Sequence, residues 1–262
     1  YGVEDAPEAQ PVVLDKASVE FENVTFGYVD GQPILHDVSF KVAPGETVAL
    51  VGPTGSGKTS TMALAHRFYD VWDGVVRIGD EDVRSVTQES LGQKIAMVLQ
   101  EPFLFTGSVF DNIRYRTLDA SRDAVEAAAR AVGAHDFIMA LPDGYESHLE
   151  QRGANLSLGQ RQLLSFARAL VADAPILILD EATANIDSYT ERQIQLALKT
   201  LLQGRTAMVI AHRLGTIRDA DRILVLRDGR LIEQGNHEEL VNENGLYAKL
   251  YRMNFGSFDD FD

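Results

Sequence analysis

The chain has 262 residues, of which 45% are hydrophobic and 24% are charged, and it contains no cysteine. These proportions are those of an ordinary globular protein that can bury a full core. The lack of cysteine excludes disulfides, thiolate catalysis and cysteine-based zinc sites. A net charge of −15 argues against a protein that coats nucleic acid, because contacts with phosphates need clustered lysine and arginine. No apolar run approaches the length that crosses a bilayer, and we predict no signal peptide.

In residues 1–17 the apolar residues do not recur at the spacing of a helix or of a strand. The segment contains Pro7, Pro11 and several acidic residues. This composition is typical of a linker. The chain begins with Tyr1 rather than Met, so we expect it to be a fragment or a processed piece, with another segment attached before the linker.

Short β-rich stretches lead from the linker to a glycine-rich loop. Val19–Phe26 and Val38–Val42 are predicted strands, and Pro44-Gly45 turns the chain into a third strand, Thr47–Val51. Tyr28, just after the first strand, offers an aromatic face on which a purine could stack. A tyrosine at a strand end is more often a structural aromatic, so the residues alone leave both interpretations open.

The glycine-rich loop fits the phosphate-loop pattern G-x-x-x-x-G-K-[ST], between an apolar strand and a predicted helix over Lys58–Phe68. Backbone N–H groups and the positive end of the helix then hold the β- and γ-phosphates of a nucleotide. Lys58 adds a charge on the phosphates, and the Thr59 hydroxyl ligates Mg²⁺. The alternative, a plain glycine-rich turn, is less favoured by this strand and helix context. The loop consists of Gly52, Pro53, Thr54, Gly55, Ser56, Gly57, Lys58 and Thr59.

The middle of the chain changes from strands to helices. Ile95–Leu99 is a predicted strand that ends at Gln100. A polar amide beyond the carboxyl end of a strand can meet a ligand, although such a glutamine is usually a solvated loop residue. We predict an α/β core with a helical lobe inserted at about residues 101–172. Its first helices are predicted at Ser108–Ile113, Ser121–Val132 and His135–Ala140.

A further helix begins in the stretch Leu156–Gln160, with Ser157 as its predicted N-cap. A serine hydroxyl and a glycine, here Gly159, at a helix start are groups that an anion-binding site uses. The alternative is a capped core helix, which these residues by themselves favour.

Two adjacent acids follow a predicted buried strand over Ile176–Asp180. Buried strands do not normally end in carboxylates without a partner. Asp180 beside a phosphate loop is the arrangement that holds Mg²⁺. Glu181 points to the other face of the strand, where it could act as general base on an attacking water.

His212 directly follows another predicted buried strand, Thr206–Ala211. A lone histidine at a strand end is most often structural. Only the position of His212 relative to the other motifs supports a functional role. The remaining signals are a capping box at Ser188 and Glu191, a hairpin turn at Asp228-Gly229, a capped helix after Asn236, a last helix from Leu246 to about Met253, and an acidic tail over 255–262.

The order of these features resembles the ATP-binding cassette (ABC) family over about Val19–Met253. The matching motifs are Tyr28 with the adenine-stacking aromatic, Gly52–Thr59 with Walker A, Gln100 with the Q-loop, Leu156–Gln160 with the signature, Asp180-Glu181 with the end of Walker B, 184–187 with the D-loop and His212 with the switch histidine. The resemblance implies an α/β P-loop NTPase fold over 18–254. Its parts are a RecA-like core, an antiparallel β subdomain and an inserted α-helical subdomain.

The resemblance also implies a role for each matching residue, with ATP and Mg²⁺ as cofactors. Catalysis is implied for Glu181, His212, Lys58 and Gln100, and Mg²⁺ binding for Thr59, Gln100 and Asp180. ATP binding is implied for Tyr28, for Gly52–Thr59 and for Ser60. Contacts with ATP held by a partner cassette are implied for Ser157, Gly159 and Gln160, and a role in nucleotide binding is implied for Asp187.

The stretches Ile95–Ile113 and Glu150–Gly153 resemble the exporter branch of the family. In that branch, transmembrane helices precede the ATPase on the same polypeptide, so the resemblance implies a cassette at the cytoplasmic face of the cell (inner) membrane. It also implies that two cassettes pair head to tail, with each ATP between Walker A of one and the signature of the other. The partner would be a second copy of this chain or a homologous cassette.

Three positions depart from the usual family pattern. Leu158 stands where glycine is common, and we expect a modest effect because Ser157 and Gly159 remain. Asn185-Ile186 replace Ala-Leu in the D-loop, and Gln151 replaces an acid, which puts one charged contact with the membrane domain or opposite subunit in doubt.

Three other functions compete with this one. An ABC-type ATPase acting on DNA or the ribosome is disfavoured by the acidic charge and by the lack of a heptad insertion or a repeat. A regulatory cassette that binds nucleotide without hydrolysing it is disfavoured because Glu181 and His212 are both present. The importer branch is disfavoured by the leading linker and by the lack of an extra C-terminal domain.

Overall fold

The structure is a computed structural model that describes residues 2–182 and 185–255. Its strands, in chain order, are β1 Val19–Phe26, β2 Leu35–Val42, β3 Thr47–Val51, β4 Asp73–Ile78, β5 Glu81–Asp82, β6 Ile95–Val98, β7 Gly107–Ser108, β8 His148–Leu149, β9 Ile176–Asp180, β10 Thr206–Ile210, β11 Arg222–Arg227 and β12 Arg230–Gly235. Its α-helices are α1 Lys58–Ala65, α2 Gln88–Lys94, α3 Val109–Arg114, α4 Arg122–Ala131, α5 His135–Ala140, α6 Leu158–Ala172, α7 Ser188–Leu202, α8 Leu214–Asp219, α9 His237–Asn242 and α10 Leu246–Phe255. Short 3-10 helices lie at Val83–Ser85, Gly144–Glu146 and Gln151–Gly153.

The chain divides into two compact units. The first comprises Tyr1–Ile95, Pro175–Glu181 and Arg205–Asp262, and the second comprises Ala96–Ala174 and Ala182–Gly204. The helical lobe expected at about residues 101–172 falls within the second unit, which also contains α7. None of the helices within the described ranges is both long enough and apolar enough to span a membrane.

The first unit is built on two sheets, as its mixture of alternating and continuously apolar strands predicts. One is antiparallel, in the order β2-β1-β4-β5. The other has the order β12-β11-β3-β10-β9-β6, and its edge strand β6 leads out of the unit after Ile95. In this second sheet β11, β3, β10 and β9 are parallel, whereas β12 returns antiparallel in the predicted hairpin at Asp228-Gly229.

The register of the parallel strands brings their carboxyl ends level with one another. Ile210 at the end of β10 pairs with Leu50 on β3 and with Asp180 on β9. Strands β3 and β10 are nearly continuous apolar runs and are buried, as strands covered on both faces are. The segments that follow these three strands therefore emerge at one edge of the sheet, where ligands bind in open α/β folds.

The second unit is centred on α6. Helices α3, α4 and α7 all pack against it. The α6 residue Arg168 donates to Asn112 O at 2.8 Å and to Phe103 O at 2.6 Å. Burial lowers the pKa of Arg168 to about 10, so the guanidinium stays charged near neutral pH while it fixes the loop before α3.

Several predicted boundaries were wrong. Helix α1 ends at Ala65 rather than Phe68, because Arg67 takes a left-handed φ of 56° and is buried, bonding Asp70 at 2.9 Å. Strand β2 begins at Leu35 rather than Val38. Helix α2 was not predicted at all; its start is capped by Thr87.

The capping box predicted at Ser188 and Glu191 was also wrong. Asp187 is the N-cap of α7: it has extended backbone angles, and its Oδ1 accepts from Thr190 N at 2.9 Å. Ser188 is already the first helical residue, so the cap lies one position earlier than the pattern indicated.

The N-terminal segment packs against the first unit more closely than its composition predicts. It has no helix or strand within residues 2–17, apart from one bridge between Gln10 and Val86. Nevertheless Val12 is buried, and its N–H donates to Ser90 Oγ at 2.9 Å. Gly256–Asp262, which include most of the predicted acidic tail, lie outside the described residues.

Candidate functional site

The phosphate loop connects the end of β3 to the start of α1, and its glycines are required by its shape. Gly57 is the N-cap of α1 and has a φ of 105°, a left-handed conformation that favours glycine. A Cβ on Gly57 would also lie 2.5 Å from Leu35 Cδ2. Gly55 has a φ of 78° but faces open space. Gly57 is therefore required by both its backbone angle and its close packing, whereas Gly55 is required by its backbone angle alone.

The turn between β11 and β12 is hydrogen-bonded to the phosphate loop. The N–H of Gly229, between β11 and β12, donates to Ser56 O at 3.0 Å, and His36 N donates to Gly229 O at 2.8 Å. A Cβ on Gly229 would collide with Ile34 O. Only glycine allows this approach, so the hairpin turn holds the phosphate loop against the start of β2.

The polar groups of the loop fit a phosphate ligand. The start of α1 has no side-chain cap and no acid in its first turn, so neither competes with an anion for its N–H groups. Ser56 Oγ is buried and has no hydrogen-bond partner. Lys58 Nζ donates to Gly52 O and, at 3.3 Å, to Pro53 O. Burial lowers the pKa of Lys58, against the opposing effect of the Asp180 charge.

Of the three donors expected for Mg²⁺, Asp180 and the Thr59 hydroxyl lie in the first unit, and Gln100 lies in the second. Burial raises the pKa of Asp180, and the nearby Lys58 charge opposes this rise. Within residues 2–182 and 185–255, no three or more histidine, aspartate or glutamate side chains are grouped to hold a metal ion. Mg²⁺ is commonly bound by one or two carboxylates together with substrate phosphates. One carboxylate and one hydroxyl beside a phosphate loop fit that mode of binding.

Glu181 is almost completely buried, with 5% of its surface exposed. Its Oε1 accepts from His212 N at 3.0 Å and from Arg213 N at 2.6 Å, and its Oε2 accepts from the Thr216 hydroxyl. Burial raises the pKa of this carboxyl group, while the Thr216 and backbone hydrogen bonds lower it. The carboxylate is therefore held against the start of α8.

His212 extends from the end of β10 toward Asp180, with 3.9 Å between Nε2 and Oδ1. Burial and the charges of Lys58 and Arg213 lower the pKa of His212. A lowered pKa keeps the ring neutral at pH 7, so its approach to Asp180 is not an ion pair. A neutral ring can donate one hydrogen bond and accept another.

Tyr28 stands beside the start of α1. Its hydroxyl lies 2.9 Å from Ser60 Oγ, and its ring is edge-on to Phe26 and Tyr69 at centroid distances of 5.0 Å and 5.1 Å. Nearly half of the residue is exposed. The packing fixes the ring near the loop and leaves part of its surface available to a ligand.

The start of α6 in the second unit is a complete capping box, which confirms Ser157 as the N-cap. Ser157 Oγ accepts from Gln160 N at 3.1 Å, and Gln160 Oε1 accepts from Ser157 N at 3.0 Å. Gly159 is buried, and a Cβ there would collide with Thr190 Cγ2 on α7. A cleft of about 300 Å³ lies over Ser157, Gly159, Gln160 and Tyr189.

Asp187, the N-cap of α7, lies in the same unit. Its Oδ2 accepts from Thr190 Oγ1 at 2.7 Å, and hydrogen bonds from Thr190 hold the pKa of Asp187 below its usual value. Ala184, the first residue of the predicted D-loop, lies outside the described residues.

Gln100 follows β6 and lines a broad groove of about 760 Å³ in the second unit. Leu99 and Phe103 in this groove are 47% and 60% exposed. The rest of the lining consists of Glu101, Pro102, Arg152, Leu158, Arg161 and Ala182. The groove thus combines exposed apolar side chains with charged ones of both signs.

The predicted site residues fall into two groups. The first unit brings together Gly52–Ser60, Tyr28, Asp180, Glu181 and His212. The second unit contains Gln100, Ser157, Gly159, Gln160 and Asp187. Each group is a well-formed local arrangement.

Comparison with known proteins shows the family to which the chain belongs. A sequence model of the family described as ABC transporter matches residues 35–184, more than half of the chain. The chain belongs to the ABC transporter family.

Relatives of this ABC cassette include two bacterial proteins and a human one. It is 48% identical over 96% of its length to the uncharacterized ABC transporter ATP-binding protein YfiC of Bacillus subtilis, and covers 42% of that protein. It is 46% identical over 97% of its length to human ATP-binding cassette sub-family B member 6, of which it covers 30%. It is 51% identical over 92% of its length to the ATP-dependent lipid A-core flippase of Methylobacillus flagellatus, of which it covers 42%.

Among solved structures, the ABC cassette is similar to a bacterial Atm1-family ABC exporter with ATP bound. The TM-score is 0.91 at 43% identity, over 98% of this chain and 45% of that one. These matches confirm the predicted fold and the resemblance to the exporter branch. The chain spans less than half the length of these relatives.

Sequence reasoning missed three contributors to the site of this ABC cassette: Arg213, Thr216 and Gly229. Arg213 contributes a backbone N–H, which no residue pattern reveals. Thr216 lies in α8, and its contact with Glu181 depends on the path of the chain after β10, which no residue spacing reveals. Gly229 was assigned only to its own hairpin turn, because its contact with Ser56 joins distant parts of the chain.

Proposed function

We propose that this cassette binds Mg²⁺-ATP and hydrolyses it as one half of a head-to-tail pair that drives export. The observation that carries the proposal is the level register of Leu50, Ile210 and Asp180. That register gathers the phosphate loop, both acids and the switch histidine at one edge of a rigid sheet. Residues on rigid elements are the ones that can hold catalytic geometry.

The phosphate loop holds the nucleotide in this proposal. Backbone N–H groups at the start of α1 and the Lys58 ammonium bind the β- and γ-phosphates. For this, Lys58 Nζ exchanges its bonds with Gly52 O and Pro53 O for bonds with phosphate oxygens. Asp180 and Thr59 would hold Mg²⁺, and the resemblance to the family implies Gln100 as a further ligand. When bound, Mg²⁺ neutralises charge that develops on the phosphates.

Glu181 and His212 act on the reacting groups. Glu181 orients the attacking water and accepts its proton as the water adds in line to the γ-phosphorus; the bond from that phosphorus to the oxygen bridging the β-phosphate breaks, and ADP leaves. His212 donates a hydrogen bond to the transferred phosphoryl group, and Lys58 stabilises the charge on the same group. A neutral His212 suits this role, because its N–H is a donor without being an acid that protonates Glu181.

The second half of each site comes from a partner cassette. Ser157, Gly159 and Gln160 lie under an open cleft, where they would contact ATP bound to the partner's Walker A motif, and Asp187 would lie nearby. The partner is a second copy of this chain or a homologous cassette. We expect no nucleic acid partner.

The remaining partner is a transmembrane domain, N-terminal on the same polypeptide. Support comes from the relatives, which are more than twice as long as this chain. Residues 1–17 would connect the two domains, and the groove beside Gln100 would receive a segment of the membrane domain. This arrangement puts the cassette at the cytoplasmic face of the membrane.

The test is phosphate release from Mg²⁺-ATP at increasing protein concentration, with Glu181→Gln as the matched control. Turnover per molecule should rise with concentration, because two copies complete each site. The control should still bind ATP but turn over at least about a hundredfold more slowly, in line with the loss of a general base.

Two results would contradict the proposal. Near-wild-type turnover in Glu181→Gln would remove the assigned base. Turnover of the wild type no higher than that of the control at every concentration would favour a regulatory cassette, or one that requires a different partner.

A further inference from the structure

The Glu181 carboxylate accepts three hydrogen bonds, all from the chain segment 212–216. Two come from backbone N–H groups and reach Oε1 at 3.0 Å and 2.6 Å. The third comes from the Thr216 hydroxyl and reaches Oε2. Glu181 and Thr216 are each only 5% exposed, so bulk water does not compete for these contacts.

A count of lone pairs shows what this arrangement leaves available. An ionised carboxylate has about four acceptor positions, two on each oxygen. The two backbone donors take both positions on Oε1. Thr216 takes one position on Oε2, so the position that remains for a water molecule is on Oε2, the oxygen that Thr216 fixes.

The elements around Thr216 hold it firmly. Its helix α8 closes its first turn with Ile217 N donating to Arg213 O at 3.1 Å. Farther along α8, Arg218 donates to the Tyr251 hydroxyl on α10 at 3.1 Å. Glu181 is anchored through its own N–H, which donates to Ile210 O at 3.0 Å. Both partners of the side-chain contact are thus attached to the sheet or to packed helices.

We propose that Thr216 is a positioning residue for ATP hydrolysis, acting through Glu181. Its hydroxyl fixes the rotation of the carboxylate, so that Oε2 presents its remaining acceptor position to the attacking water. The two backbone donors hold Oε1 but leave rotation about that oxygen possible. The inference rests on the proposed role of Glu181 as the base.

The test compares Thr216→Val, which keeps the shape and removes the hydroxyl, with Thr216→Ser, which keeps the hydroxyl. A hydrogen bond to a charged group is worth enough to change a rate about tenfold. We therefore expect kcat of Thr216→Val to fall about tenfold with the KM for ATP within about twofold. Thr216→Ser should stay within about twofold of the wild type in both parameters.

Thr206→Val is the matched control. Thr206 is equally buried in the same unit, and its hydroxyl donates to Ala17 O at 2.6 Å. It lies at the start of β10, whereas the site is at the end of that strand. This control should lose stability without losing kcat, which separates a general loss of a buried hydroxyl from a loss at the base.

A double variant decides whether Thr216 acts through Glu181. In a Glu181→Gln background, Thr216→Val should lower the residual rate by less than about twofold, because coupled residues are not additive. An unchanged or increased kcat in Thr216→Val would overturn the proposal. So would an undiminished effect in the Glu181→Gln background, or a Thr216→Ser variant as slow as Thr216→Val.

If Thr216→Val does not fold, Thr216→Ala removes the same hydroxyl from a smaller side chain and is judged by the same criteria. Failure of the proposed function has a different signature. In that case Glu181→Gln alone keeps near-wild-type turnover, whatever the Thr216 variants do.

Discussion

The starts of α1 and α6 are both predicted to meet phosphate, yet they are built in opposite ways. The start of α1 has a glycine as its cap, no side-chain hydrogen bond and no acid. At the start of α6, Ser157 and Gln160 satisfy each other in a capping box. A helix start without a side-chain cap offers all its free N–H groups to an anion, whereas the capping box of α6 already satisfies the N–H groups of Ser157 and Gln160.

This difference indicates which half of the nucleotide site can bind its ligand in a single cassette. The α1 end needs a ligand to satisfy its donors, so it should bind nucleotide even in a single cassette. The α6 end is stable without one: Ser157 Oγ already accepts from Gln160 N, and only its hydroxyl hydrogen remains to be donated to a phosphate. The signature should therefore engage only when the partner's nucleotide is already held nearby.

The largest effect is expected at Gly57. In Gly57→Ala, the new methyl group would meet Leu35 and the backbone would be forced into a left-handed conformation. Strain and overpacking together should cost about 2 to 4 kcal/mol of unfolding free energy and abolish nucleotide binding. Urea unfolding and binding of a fluorescent ATP analogue measure the two effects.

Gly55→Ala is the matched control, because Gly55 also has a positive φ but no atom lies within 4 Å of its Cβ position. It should lose only about 1 kcal/mol. Equal losses in the two variants would show that close packing against Leu35 does not shape the α1 start.

The next effect in size is expected at Ser157. Ser157→Ala should cost about 1 kcal/mol of unfolding free energy through loss of the cap. Turnover should fall about tenfold, the loss expected for one hydrogen bond to a charged phosphate. Binding of ATP by the isolated cassette should not change, because the nucleotide is held at the α1 end.

Ser121→Ala supplies the comparison for this prediction, since Ser121 caps α4 in the same unit through Ala124 N at 3.1 Å. It should lose a similar amount of stability with no loss of turnover. If both serine variants lower turnover equally, the effect of Ser157 is one of stability and not of phosphate contact.

The smallest effect is expected at Leu158, between the cap and Gly159. Leu158→Gly restores the residue common in the family. It should cost at most about 1 kcal/mol of unfolding free energy and leave turnover within about twofold. A large change in turnover would mean that Leu158 contributes to the α6 end, and the contrast between the two helix starts would have to include it.

The parts of the molecule that sequence predicts well are those set by local chemistry. The phosphate loop, the Ser157 cap and the hairpin at Asp228-Gly229 each depend on a few consecutive residues whose backbone preferences agree. The end of α1 was missed because the buried Arg67 side chain bonds two partly exposed acids, Asp5 at 3.7 Å and Asp70 at 2.9 Å, which stabilises the left-handed conformation of Arg67. Contacts with residues far away in sequence decide such cases.

The same limit applies to the site. Asp180 and His212 could be placed at one sheet edge from their positions after apolar strands, because parallel strands end at a common edge. The contact between Glu181 and Thr216 could not, since it depends on the path of the chain after β10. Residue patterns predict which side chains carry chemistry better than they predict which neighbours hold those side chains.

The bond from Gly229 to the phosphate loop has a consequence for the entropy of ligand binding. Fixing the backbone of one residue costs about 1 to 2 kcal/mol of conformational entropy. Because Gly229 and His36 tie the loop to a hairpin and a sheet, much of that cost is met when the domain folds. Nucleotide then meets a loop whose shape is already fixed, and more of the contact energy appears as affinity.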